Sequence, residues 1–158
     1  MAESPSSTQA RFEAVYQESW VPVFRLALAW TNDWAAAEDL AQEAFIRLWD
    51  RRDRVNWNDP MLPWLLVVVR RLATDRFRRL RTIALRTPRS RDFDEAGIVR
   101  WLDVRSAFAQ LTSVERSALV LVSVIGLTYE EAAGVLGTTA GALRGAASRG
   151  RDKLERLA

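Results

Sequence analysis

Apolar residues recur along most of the chain at the three- and four-residue spacing of helices that face a core. No segment alternates as a half-buried strand would, and no hairpin turn punctuates the pattern. An all-α protein is predicted. Over 8–31, Phe12, Val15, Tyr16, Val23, Phe24, Leu26, Ala27, Leu28 and Trp30 supply one apolar side. Pro22 lacks a backbone donor and is expected to break or kink that helix near 19–21. Asp33 reads as the N-cap of a second helix over 34–51, with Ala37, Ala41, Ala44, Phe45 and Leu48 turned inward. Asp39, Gln42, Glu43, Ile46 and Asp50 fall on the opposite side. Ile46 is an apolar residue among carboxylates there, which suits the centre of a partner-binding face.

The polar run RRDRVNWNDPMLP that follows must be a loop. A third helix starts near 59–63 and continues to 80 or 81, with Leu62, Leu65, Leu66, Val69, Ala73, Phe77 and Leu80 expected to be buried. Arg71, Asp75, Arg78 and Arg79 form a second, basic stripe on it. Trp30, Trp34, Trp49 and Trp64 are expected in the core. Beyond Arg81 the periodicity dissolves into mixed charges with a proline, so 82–98 reads as a flexible linker. The chain thus divides into two small helical domains, 8–81 and 99–157.

The second domain marks its helices with local chemistry. Thr112 with Glu115, and Thr128 with Glu131, make two capping boxes, fixing helices over 113–125 and 129–136. Gly126 and Gly137 sit where left-handed helix ends are needed, and Thr139 caps a last helix. A short helix, a glycine turn and a longer basic helix form a helix-turn-helix, whose second helix enters the DNA major groove. Leu127, Ala132, Ala133, Leu136 and Leu143 would hold the pair together, with Ala147 and Leu154 also inward. Arg144, Ser148 and Arg151 line the outer side with Arg149 adjacent. Three glycines, Gly141, Gly145 and Gly150, weaken this last helix by roughly 1 kcal/mol each relative to alanine. They fit either a close approach to a phosphate backbone or tight packing on the preceding helix.

Composition narrows the chemistry. The 158 residues include no cysteine and no histidine, which removes thiol and imidazole catalysis and nearly all zinc sites. No nucleophile–base or metal constellation remains, so neither an enzyme nor a cofactor is expected. The apolar runs are too short to span a bilayer, and a cytoplasmic protein without membrane insertion is expected. Net charge is only +3, but nine arginines and one carboxylate lie between 70 and 91. A second basic block covers 139–158, and acidic segments precede each. Two separated basic blocks suggest two contacts with a polyanion. On the residues alone, a free-standing helix-turn-helix regulator and a protein-interaction module stay open beside a two-contact DNA-binding factor.

The segments AEDLAQEAFIRLW, PWLLVVVRRLATDRFRR and LTSVERSALVLVSVIGLTYEEAAGVLGTTAGALRGAASRGRDKL resemble, in order, those of extracytoplasmic-function (ECF) sigma factors of bacterial RNA polymerase. The resemblance covers nearly the whole chain. It implies that Asp39, Gln42, Glu43, Ile46 and Arg47 dock on core RNA polymerase. It implies that the loop 54–59, especially Asn56, Trp57 and Asn58, captures a flipped base of the melted minus-ten element, with Arg70, Arg71, Asp75, Arg78 and Arg79 beside it on the promoter DNA. Thr139, Arg144, Ser148, Arg149 and Arg151 match the minus-thirty-five reader. Such factors commonly have an anti-sigma partner that covers both domains. Arg71 stands where the family usually has asparagine, and Arg144-Gly145-Ala146 where it usually has a Lys-Ser-Arg-like run, so fewer long donors face the duplex.

Overall fold

The computed structural model describes residues 5–82 and 105–158, and among these no strand occurs. The linker expected over 82–98 lies, beyond Thr82, outside the described residues. Three helices, α1 (Pro5–Thr31), α2 (Trp34–Asp50) and α3 (Leu62–Thr82), pack on one another. After a helical turn at 105–109 come α4 (Ser113–Leu119), α5 (Tyr129–Leu136) and α6 (Ala140–Leu157).

Of the two expectations at Pro22, a break is excluded: α1 continues through it. Val23, Leu26 and Ala27, just beyond the proline, are fully buried. Their burial against α2 and α3 offsets the cost of about 3 kcal/mol that an interior proline carries. Asp33 caps α2 as its sequence suggests, accepting the Ala36 N–H at 2.8 Å. Ala36 and Leu40 join the expected buried stripe. α3 begins within the expected window and buries Leu65, Leu66, Val68, Val69 and Ala73. Phe77 and Leu80, expected inside, are 59% and 56% exposed. The apolar spacing of α3 therefore runs on past the last residue it buries. The four tryptophans expected in the core lie at its edge: Trp30, Trp49 and Trp64 are half-buried, and Trp34 is exposed with its ring set edge-on to Phe24 at 4.8 Å.

Both capping boxes form. Thr112 accepts the Glu115 N–H at 3.2 Å while Glu115 Oε2 accepts the Thr112 N–H at 3.0 Å, and Thr128 and Glu131 repeat the exchange at 3.1 and 2.8 Å. The helix expected over 113–125 is regular only to Leu119; Val120–Ile125 widens into a π-helical turn. Gly126, at φ +88°, ends it, and the Leu127 N–H closes the wide coil on the Leu121 carbonyl at 2.9 Å. Gly137, at φ +66°, makes the turn between α5 and α6. Buried side chains from both ends of the chain, among them Leu26, Leu48, Leu66, Leu121, Ala132 and Leu143, belong to one continuous cluster.

Candidate polymerase and nucleic-acid interfaces

Burying Ala37, Ala41, Ala44 and Leu48 fixes the rotation of α2 and turns Asp39, Gln42, Ile46 and Arg47 to solvent, with Glu43 half-buried among them. Glu43 and Arg47, one turn apart, pair at 3.1 Å. Ile46 stays 53% exposed. Beside it, Gln42, Ile46 and Trp49 of α2 and Phe12, Glu13 and Tyr16 of α1 border a cleft of about 680 Å³. Its floor is aromatic: Phe12 meets Trp49 edge-on at 5.0 Å, and Tyr16 lies 4.8 Å from Phe45. An apolar, aromatic centre with a charged rim is the anatomy of a protein-docking face.

In the loop after α2, Asn56 and Asn58 are exposed, and Asn56 Oδ1 accepts the Asn58 N–H at 3.2 Å in a local turn. Trp57 sits differently. It is half-buried against the core, and its indole N–H donates to the Arg52 carbonyl at 3.1 Å. Trp57 therefore pins the loop rather than presenting a free ring. A cleft of about 640 Å³ opens in this loop, bordered by Arg51, Arg54, Val55, Asp59, Met61 and Trp64 and by neither Asn56 nor Trp57. Arg54, Val55 and Asp59 lie within the loop that the resemblance marks, whereas Arg51, Met61 and Trp64, which extend the cleft beyond it, were not assigned to it.

Arg71, Asp75, Arg78 and Arg79 are all exposed on α3, in keeping with their helical spacing. Arg70 is not among them. It is half-buried, and a Cβ on Gly137, in the turn of the helix-turn-helix, would lie 3.7 Å from its guanidinium carbon.

The last helix, α6, is anchored on one side and open to solvent on the other. Thr139 caps it, accepting the Ala142 N–H at 3.1 Å. Leu143, Ala146, Ala147 and Gly150 are buried beneath it, while Arg144, Ser148, Arg149 and Arg151 stay exposed. Arg144 pairs with Glu130 at 3.0 Å and lies over the Tyr129 ring at 5.1 Å. Arg149 reaches back to Glu115 at 3.7 Å. The Arg144–Glu130 pair is exposed on both sides, and such pairs are worth about 1 kcal/mol or less. Glu115 is otherwise held firmly: burial pushes its pKa up, but Lys153 at 2.8 Å, the Thr112 N–H and the Arg149 charge together bring it below the ordinary value.

The three glycines of α6 separate into distinct cases. A Cβ on Gly150 would come within 2.9 Å of Leu119 Cδ1, so this glycine permits the packing of α6 on α4. One on Gly145 would meet only the arm of Arg149, at 3.1 Å, and Gly141 faces open space.

Arg116, which the sequence reading passed over, is a buried arginine on α4. Its Nε donates to the Ala29 carbonyl, Nη1 to Phe108 at 3.1 Å and Leu111 at 2.7 Å, and Nη2 to Trp30 at 3.3 Å. Burial lowers its pKa while the neighbouring Glu115 carboxylate opposes the shift. It shares a helix face with buried Leu119 and Val120, and that spacing was the available sign.

No described helix is long and apolar enough to cross a membrane. Comparison with known proteins matches residues 13–83 to Sigma-70 region 2 and residues 101–154 to Sigma-70 region 4. The ECF RNA polymerase sigma factor SigC of Mycobacterium tuberculosis is 31% identical over 153 residues, covering 92% of this chain and 80% of that protein. In fold, the chain is similar to CnrH in its complex with the cytosolic domain of CnrY, with a TM-score of 0.71 at 24% identity over 94% of this chain and 88% of that one. It is similar also to the sigma factor RpoE in complex with the anti-sigma factor NepR from Bartonella quintana, with a TM-score of 0.73 at 22% identity over 92% and 95% of the two chains. A free-standing regulator would leave the region 2 match unexplained. The chain belongs to the ECF sigma factors, non-enzymatic subunits that bind core RNA polymerase and direct it to promoters.

Proposed function

We propose that the polymerase is held by the outer face of α2 and that the promoter is gripped at two separate places, by a unit spanning 8–81 and by another spanning 99–157. Asp39, Gln42, Glu43, Ile46 and Arg47 dock on the core enzyme, with the aromatic cleft beside Ile46 continuing that face. Asn56 and Asn58 engage the minus-ten strand, while Trp57 positions the loop through its bond to Arg52. Arg70, Arg71, Arg78 and Arg79, with Asp75 among them, follow the adjoining backbone. Thr139, Arg144, Ser148, Arg149 and Arg151 read the minus-thirty-five duplex.

The observation that carries this assignment is the alternation along α6. Leu143, Ala147 and Gly150 point inward while Arg144, Ser148 and Arg151 point outward on a helix whose start is fixed by Thr139. Such a helix can lie in the major groove without disturbing the core beneath it. The factor acts in the cytoplasm, where the polymerase works. An anti-sigma protein is a further partner suggested by the relatives, since RpoE of Bartonella quintana is solved with one.

Replacing Asp39 and Gln42 together by alanine tests the polymerase face. Affinity for core enzyme, measured by fluorescence anisotropy of labelled factor, should fall about tenfold with helicity unchanged, corresponding to about 1.4 kcal/mol. Unchanged affinity would refute the placement of that face.

A further inference from the structure

Arg144 is held in place by a neighbouring helix rather than by its own. One turn away from it on α6 stand Ala140, Gly141, Ala147 and Ser148, none of which carries a charge that could fix a guanidinium. The two side chains that meet it come from the first turn of α5. Glu130 Oε1 accepts from Arg144 Nη2 at 3.0 Å, and the guanidinium carbon lies over the Tyr129 ring at 5.1 Å. Tyr129 packs on the core cluster, so its ring is a fixed shelf. Glu130 is free for this contact because the capping of the helix falls to its neighbour Glu131, which accepts the Thr128 N–H at 2.8 Å.

These contacts leave most of the fork unoccupied. A guanidinium has five N–H donors, and Glu130 takes a bond from one nitrogen. The Arg144 side chain stays 55% exposed, which leaves the other donors open to a duplex. Exposed as it is, the pair adds little to folding. Its consequence lies in where the guanidinium points when DNA arrives.

For a long side chain that reads a base, being held matters in two ways. Rotamer freedom already lost in the free helix is not lost again on binding, so a matched base edge is met at smaller entropic cost. A carboxylate at 3.0 Å also offsets the charge of Arg144 and repels phosphates, which weakens attraction to a duplex whatever its sequence. Both effects favour the matched base edge over the backbone. The rest of α6 makes that preference consequential: Arg149 is turned toward Glu115, and Gly141, Gly145 and Ala146 bring no long donor.

We propose that Glu130 is a positioning residue for promoter recognition, aiming the Arg144 guanidinium at one base pair of the upstream element and lowering its grip on unmatched DNA. The proposal rests on the assignment of Arg144 to the minus-thirty-five duplex. Glu130 itself touches no base and acts through Arg144.

The test uses the full-length factor bound to core polymerase and a promoter fragment that this holoenzyme selects from randomised DNA. Each base pair of the upstream block is changed in turn, and the ratio of affinities for the selected and the changed fragment is measured at every position. Arg144→Ala should lower that ratio about tenfold at one position, the base pair that the arginine reads. Glu130→Ala should lower it about threefold at the same position, leave the other positions unchanged, and raise affinity for the changed fragment about twofold. The Glu130 side chain is 69% exposed, so its removal leaves the packing of α5 intact. In the Arg144→Ala background, Glu130→Ala should change nothing further at that position, which separates aiming from a general loss of negative charge. Equal effects at every position, or an effect that persists without Arg144, overturn the proposal, and so does an unchanged ratio in Glu130→Ala. In each of those cases Arg144 keeps its assignment as long as Arg144→Ala itself loses discrimination. Arg144→Ala without loss at any position would refute that assignment, and the proposal would fall with it.

Discussion

The helices of the C-terminal half and the end of α1 are closed by opposite means. α4, α5 and α6 each begin at a threonine, Thr112, Thr128 or Thr139, whose hydroxyl accepts an N–H three residues on. The last carbonyls of α1 are instead held by Arg116, 86 and 87 residues away. A local cap forms whenever its helix forms and is lost only with it. A distant cap makes the end of one helix depend on the position of another, and it can be released while both helices survive. The helix-turn-helix is thus built from the first kind of contact, and its attachment to α1 uses the second.

Substitutions confined to the C-terminal half should sharpen this contrast, because they change its stability without touching the bonds that Arg116 makes to α1. Gly150→Ala has the largest expected effect. Its new Cβ would press on Leu119 and Leu111, both buried, and overpacking should outweigh the gain in helix propensity to destabilise by about 2 kcal/mol in urea unfolding. A neutral result would show that α4 and α6 have slack between them. Thr128→Ala should cost about 1 kcal/mol, because one N-terminal amide of α5 loses its acceptor and Glu131 loses its reciprocal role. A loss several times larger in the same unfolding measurement would show that this cap is not a purely local contact. Gly141→Ala has the smallest effect and the opposite sign, a gain of about 0.5–1 kcal/mol, since nothing lies within 4 Å of the added methyl. Duplex affinity of that variant decides why the glycine is there: weaker binding means that DNA approaches the helix flank, and unchanged binding means that it does not.

The features legible in the sequence are those whose causes are local. Asp33, both capping boxes, Gly126, Gly137 and Thr139 all act within a few residues, and each stands where its spacing placed it. The exposed faces of α2 and α6 were legible for a related reason, since burying one side of a helix dictates the other. Failures came where the deciding atoms are far along the chain. Pro22 is tolerated because α2 and α3 bury the residues beside it. Phe77 and Leu80 continue an apolar period beyond the core that would receive them. Arg70 belongs to a basic run in sequence and to the helix-turn-helix turn in space. Gly150 was interpretable only once Leu119 and Leu111 were seen beside it.

The account stands most directly on what the factor does to initiation. Run-off transcription with core polymerase and a library of randomised promoter DNA, sequenced with and without the factor, measures it. Start sites that appear only with the factor, and whose upstream DNA shares two sequence blocks at a fixed separation, are the expected outcome. A start-site profile that the factor leaves unchanged would contradict it.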